Sequence, residues 1–180
     1  MAFSSGKYYP EAAMGNVFIG STAAAGTALP ISTGTAVTFG LWNTSTSKNA
    51  VLLNLTAGYT SGTIALGTFG IANQACGFAL GTAAPLSAFT DGTPKNAILG
   101  GGKSSAMRFT PSAATLTAGG TAAMFIGKSI ESATAGLGVF NIDYDFNGQI
   151  IVPPGQMVFL CSSVAQTALF TASLTWAEID

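Results

Sequence analysis

The stretch Val51-Leu52-Leu53-Asn54-Leu55-Thr56-Ala57-Gly58-Tyr59 decides how the chain is read. Taken two at a time, Val51, Leu53, Leu55, Ala57 and Tyr59 line one side while Asn54 and Thr56 lie opposite, the period-two geometry of a strand with one buried face. Near the end of the sequence the pattern returns. Phe170, Ala172, Leu174 and Trp176 share one face, and Thr171, Ser173 and Thr175 the other, so this last strand is expected to be tied into a sheet with its apolar side in the core.

Between these two stretches a sustained i, i+3, i+4 apolar pattern is missing, and Gly and Thr interrupt throughout. What recurs is the short apolar or alternating run bounded by turn residues. Candidate strands are 16–20, 36–43, 50–59, 63–72, 97–99, 106–110, 122–126, 138–144, 149–152, 157–161 and 168–179. This spacing predicts an all-β chain with helix limited to short turns, folded as a sandwich or barrel, and we expect two antiparallel sheets.

The connectors have their own chemistry. Val152-Pro153-Pro154-Gly155 sets a residue of fixed φ before one that tolerates positive φ, a turn between the strands at 149–152 and 157–161. Asn147-Gly148 is a hairpin signal. Gly-Thr pairs at Gly62, Gly67, Gly81, Gly92 and Gly120 are irregularly spaced, which fits turns in a Thr-rich β protein and not a repeat array. Residues 1–15 and 21–35 read as loop or arm. The expected organisation is one domain over 1–180, with 1–35 a partly extended N-terminal arm.

Charge is the most unusual property of the composition. Between Glu11 and Asp91 the only charged residue is Lys48, and the chain as a whole is 7% charged against about 25% in ordinary soluble domains. A surface of Thr, Ser, Gly, Ala and apolar side chains suits contact with other protein, because exposed charge is what normally keeps a folded chain monomeric. The six basic residues are scattered singly, which argues against nucleic acid as a partner. Polar residues break every uncharged run of membrane-spanning length, and no apolar core of signal-peptide length follows Lys7. A membrane partner and export by that route are therefore not expected.

The absence of histidine removes Ser-His-Asp and Cys-His catalysis and every His-bound zinc site. Cys76 and Cys161 read as two buried free thiols, although two cysteines leave a single bridge open. Asp143, Asp145, Asn147 and Gly148 spell D-x-D-x-N-G, the first half of a calcium loop in which alternate oxygens converge on a hard cation. Pro154 stands where the bidentate Glu would be, which excludes an EF-hand. The plainer reading makes Asp143 and Asp145 the solvated face of a strand, with a non-helical calcium site at Asp143, Asp145 and Asn147 as the sharper alternative. A glycosidase pair drawn from Asp143, Asp145, Asp91 or Glu131 lacks aromatic platforms, since Trp42 and Trp176 fall at core positions. We expect no catalytic site and no cofactor. Asn43-Thr44-Ser45 and Asn54-Leu55-Thr56 match the glycosylation pattern, as chance provides in so Thr- and Ser-rich a chain.

The segments V-L-L-N-L-T-A-G-Y-T-S-G (51–62) and I-V-P-P-G-Q-M-V-F-L-C-S-S through S-L-T-W-A-E (151–178) resemble jelly-roll virion proteins of tailed bacteriophages. There a strand ending in a Gly-Tyr-x-Ser-Gly turn is followed much later by a Pro-Gly turn, an apolar strand and a Trp-bearing final strand. The resemblance covers about a quarter of the chain and leaves 72–138 unmatched. It implies a jelly-roll-like β-sandwich and a non-enzymatic virion structural protein. Such a protein would be a capsid decoration or cement protein on the capsid surface, made in the host cytoplasm, a homotrimer contacting other capsid proteins. The alternative is a sugar- or receptor-binding module of a tail or head fibre. A receptor reader should carry exposed aromatics in its loops, where Tyr8, Tyr9 and Phe89 are the few candidates.

Overall fold

In the computed structural model, which describes residues 7–130 and 141–180, the short apolar runs become strands. In chain order the elements are helix α1 (Tyr9–Ala13) and strands β1 (Val17–Ser21), β2 (Thr27–Ala28), β3 (Ala36–Val37), β4 (Gly40–Trp42), β5 (Asn49–Ser61), β6 (Gly67–Ala75) and β7 (Leu86–Phe89). They continue with β8 (Lys95–Asn96), β9 (Arg108–Thr110), β10 (Ala114–Leu116), β11 (Thr121–Ile130), β12 (Asn141–Val152), β13 (Gln156–Ser162) and β14 (Leu169–Ile179). The expected all-β antiparallel structure is present, in three sheets and not two. The first runs β12-β5-β14-β1-β8 with β2 also on β14, the second β11-β6-β13-β4-β9, and the third β3-β10-β7. The strands of the third sheet at 86–89 and 114–116 were not anticipated, because each offers so few inward apolar positions that no period shows.

The two larger sheets contribute to one hydrophobic cluster. Leu52, Leu55, Leu174 and Trp176 enter it from the first sheet, and Leu41, Ile71, Phe109 and Leu160 from the second. Trp176 lies between the rings of Phe18 and Phe109, each 6.1 Å from it centroid to centroid. Burying an aromatic or large aliphatic side chain in this way is worth about 1.5–3 kcal/mol. The third sheet closes a second cluster over Trp42, Met157 and Phe159.

The face assignment made from β14 holds, since Phe170, Ala172, Leu174 and Trp176 all enter the main cluster. That made from β5 holds for only part of its length. Leu55 and Ala57 face the main cluster with Tyr59 against it, but so do Ala50 and Leu52, while Val51 and Leu53 lie on the opposite side. The cause is a bulge at Leu53: Thr175 pairs with Asn54 but Trp176 pairs with Leu52, and one unpaired residue moves every earlier side chain to the other face.

At the same level of the sheet the Asn147-Gly148 hairpin expectation fails. Both residues adopt the positive φ of such a turn, 54° and 72°, but the chain does not reverse. Asp145 pairs with Asn54 and Ile150 with Leu52, so residues 146–149 bulge out of a strand that stays on β5 throughout. The expected strands 138–144 and 149–152 are therefore one strand from 141, with 138–140 outside the described residues. The Pro153-Pro154-Gly155 turn is present, with the Gln156 N–H donating to the Pro153 carbonyl at 3.1 Å and Gly155 at φ 76°. It carries the chain from the first sheet to the second.

Elsewhere the boundaries move. The run 36–43 splits because the chain passes from the third sheet to the second at 38–39, and β8 precedes the predicted 97–99. The expected arm over 1–35 lies on the sheets wherever it is described, with residues 1–6 outside the described set. Val17, Phe18 and Leu29 are buried, and these few apolar anchors among Ala, Gly and Thr are enough to hold it down.

Candidate interaction surface and the acidic bulge

Asp143 and Asp145 occupy outward positions of β12 on the exposed side of the first sheet. Asp143 Oδ1 accepts a hydrogen bond from Asn54 Nδ2 at 2.8 Å across the strand pair. Asp145 Oδ1 accepts from the Tyr8 hydroxyl at 2.7 Å and from the Asn147 backbone N–H at 2.7 Å. The Lys7 ammonium stands 3.8 Å from Asp145 Oδ2 and donates to Asn147 Oδ1. The structure thus brings Asp145 and Asn147 together with Lys7 and Tyr8, and leaves Asp143 facing Asn54. The Tyr8 hydrogen bond, then the Asn147 N–H and the Lys7 charge, hold the Asp145 carboxyl below its ordinary value of 3.8. Among the described residues no group of three or more Cys, Asp or Glu side chains is placed to hold a metal. What this arrangement does is fasten the N-terminal segment onto the bulge of β12.

The other weighed carboxylates do not join it. Glu131 lies outside the described residues. Asp91 receives two hydrogen bonds from Arg108, from Nε at 2.7 Å and Nη2 at 2.6 Å, which place its carboxyl below the ordinary 3.8. The Arg108 guanidinium also lies over the rings of Trp42 and Phe89 at 5.0 and 4.8 Å, tying the second sheet to the third. Trp42 and Trp176 are buried, so neither is a sugar platform. Of the two glycosylation patterns, Asn43 is buried and its amide donates to the Lys48 and Val152 carbonyls.

Both cysteines are free and buried. Cys161 pairs with Gly70, whereas Cys76 lies six residues further along the same edge, its N–H on the Gly155 carbonyl. At about 3.3 Å per residue that is roughly 20 Å, well beyond the ~7 Å a disulfide spans. Burial pushes the thiol of Cys76 up to about 11 and that of Cys161 to about 12.

The outer side of the first sheet carries an apolar row that the sequence pattern concealed. Ile151 pairs with Val51, Val51 with Ala177 and Ala177 with Val17, all four facing away from the main cluster. Tyr8 and Ala12 pack over Val17, Leu53 and Ala177, yet no residue of α1 is itself buried. Ile151, at the end of the row, is 55% exposed. Tyr9, Met14, Leu66, Phe78 and Leu99 are more than half exposed elsewhere on the surface. These large apolar side chains open to water stand on a chain with few charges to offset them. Period-two reading missed the row because the Leu53 bulge sits inside it. Compared with models of known families, with curated proteins and with solved structures, the chain matches none of them.

Proposed function

We propose that the chain is a non-enzymatic virion structural protein with a jelly-roll sandwich, a capsid decoration or cement protein that stabilises a shell through homo-oligomeric contacts. The observation that carries this reading is the strand order. With the two- and three-residue strands β2, β8 and β9 at the margins of the larger sheets set aside, the other eight, β1, β4, β5, β6, β11, β12, β13 and β14, numbered along the chain, lie in the orders six-three-eight-one and five-four-seven-two. Two interlocked Greek keys wound into a double sheet produce this arrangement, which viral capsid domains and lectins share. Since a fold hosts many functions, the surface must choose among them. Uncharged, apolar-studded surface favours a protein packed among repeated subunits, whose interface centres are depleted of Lys, Glu and Asp. Its partners are copies of itself and other capsid proteins.

Light scattering at micromolar concentration, followed by binding to assembled shells and imaging of the particles, tests the proposal. The expected mass is a multiple of 18.0 kDa, a trimer by the resemblance, with the oligomer seated on the shell surface. A stable monomer that binds no shell would overturn it and leave a sugar- or receptor-binding fibre module as the better account.

A further inference from the structure

The segment 92–109, which carries the two-residue strand β8 and runs into β9, is not needed for that reading. Its ends are closed by the Gly92 N–H donating to the Phe109 carbonyl at 2.7 Å. Between them the chain folds back on itself around a cleft of about 480 Å³, and every lining residue comes from this one segment. A compact surface loop of this kind is commonly functional.

Two buried polar side chains fix the loop's shape. Asn96, 9% exposed, donates from Nδ2 to the Gly15 carbonyl at 2.8 Å and to the Lys103 carbonyl at 3.3 Å, and accepts the Ile98 N–H on Oδ1 at 2.9 Å. Glu178, 3% exposed, accepts the Ser105 hydroxyl at 2.5 Å and the Ala106 N–H at 3.0 Å. Gly102 approaches so closely that a Cβ there would stand 2.6 Å from Asn96 Oδ1. The backbone of 96–106 is thereby held from both ends before any ligand arrives.

The charge on this cleft is of one sign. Lys95 and Lys103 line it, with Thr93 and Ser104 as hydroxyl donors, and no Asp or Glu among the lining residues. Neither lysine has an acidic partner among the described residues: Lys103 Nζ donates to the neutral Asn16 Oδ1 at 3.0 Å, and Lys95 to nothing. The nearby acids are engaged elsewhere, Asp91 by Arg108, Glu178 by Ser105, Ala106 and Trp176, and Glu11 by Asn16 Nδ2 at 3.0 Å, the same side chain whose Oδ1 accepts from Lys103. A chain with only six basic residues places two of them, neither in an ion pair among the described residues, on one preshaped cleft.

We infer that this cleft binds an oxyanion, a phosphate or carboxylate group, between the Lys95 and Lys103 ammoniums, with hydroxyl donors completing its shell. Leu99, 81% exposed at the rim, meets the apolar part of whatever molecule carries the group. Because the lysines are exposed, binding weakens as ionic strength rises.

The test is an amide NMR titration of the full chain at low ionic strength with inorganic phosphate and, separately, sodium acetate, with sodium chloride as the matched control. Saturable shifts are expected at the amides of residues 100–105. The double variant Lys95→Gln/Lys103→Gln should weaken binding by about tenfold or more, or about 1.4 kcal/mol. Lys48→Gln should titrate like the parent. Saturation by phosphate alone assigns a phosphate-bearing ligand, and saturation by both salts extends the class to carboxylates. Shifts that only track chloride, or equal affinity in the double variant, would overturn the inference.

Discussion

The first sheet carries apolar side chains on both sides, and the two sides are closed in different ways. On the inner side Leu52, Leu55, Leu174 and Trp176 meet side chains from a second sheet whose own strands are paired along their length. On the outer side Val17, Leu53 and Ala177 are as deeply buried, at 3–4% exposure, but their cover is Tyr8, Ala97 and, from a five-residue helix with no buried residue of its own, Ala12. A helix that short has no stability in isolation. Burial alone therefore does not separate a core from a covered strip. The strength of the hold on the covering element does.

The largest expected effect tests the inner side. Trp176→Ala should cost about 3–5 kcal/mol in denaturant unfolding, the range for emptying a large aromatic site. It removes the stacking on Phe18 and Phe109 and the indole N–H that Glu178 Oε1 accepts at 3.3 Å. An unchanged midpoint would break the comparison outright.

On the outer side Leu53→Ala should cost about 2–3 kcal/mol, the low end for a leucine, because a loosely held cover can settle into part of the cavity. A loss as large as that at Trp176 would show that the outer strip is packed like the core. Tyr8→Phe keeps the ring and removes the bond to Asp145, and should cost less than Leu53→Ala while raising the binding of a hydrophobic dye. A silent variant would mean that the cover is held by packing alone.

This difference between sides also explains what could be read from the sequence. β14 was legible because its alternation runs unbroken from Phe170 to Trp176. β5 carries the same alternation as letters, but the bulge at Leu53 splits it between faces, and nothing in Leu52-Leu53 announces an unpaired residue. Asn147-Gly148 correctly marked two left-handed residues and wrongly implied a chain reversal, because a turn and a wide bulge call for the same φ values. Of the acidic cluster, Asp145 and Asn147 were visible, while Lys7 and Tyr8 were not, lying 137 or more residues away in the chain. The buried Glu178 left no local signal, because it accepts from Ser105 and Ala106 more than seventy residues away, and the Asn96 bond to the Gly15 carbonyl, 81 residues away, is equally invisible in the sequence.

A smaller effect is expected where the second and third sheets meet. Arg108→Ala should cost about 1–2 kcal/mol, from a partly exposed ion pair worth at most about 1 and ring contacts of about 0.5–1. The Asp91 carboxyl ionises below its unfolded value, so its contribution is present at neutral pH and is lost as pH falls from about 3.8 through the lower folded value. The gap between parent and variant should accordingly narrow in acid. A gap independent of pH would assign the whole effect to the Trp42 and Phe89 rings.

The smallest expected effect is none, and it bears on how the outer cover is fastened. A calcium ion at Asp145 and Asn147 would have to displace the Lys7 ammonium from Asn147 Oδ1 and compete with the Tyr8 hydroxyl for Asp145 Oδ1. It would gain no bidentate carboxylate, since Pro154 stands in the crossover turn at that position. The fastening is therefore made by the protein's own groups, and chelation should leave the melting temperature unchanged. A ligand that bound the native chain at a hundred times its Kd would stabilise it by about 2.7 kcal/mol, enough to move the transition by several degrees. A drop of that size with EDTA, restored by calcium and absent in Asp145→Asn, would make Asp143, Asp145 and Asn147 metal ligands and the outer cover a metal-held element.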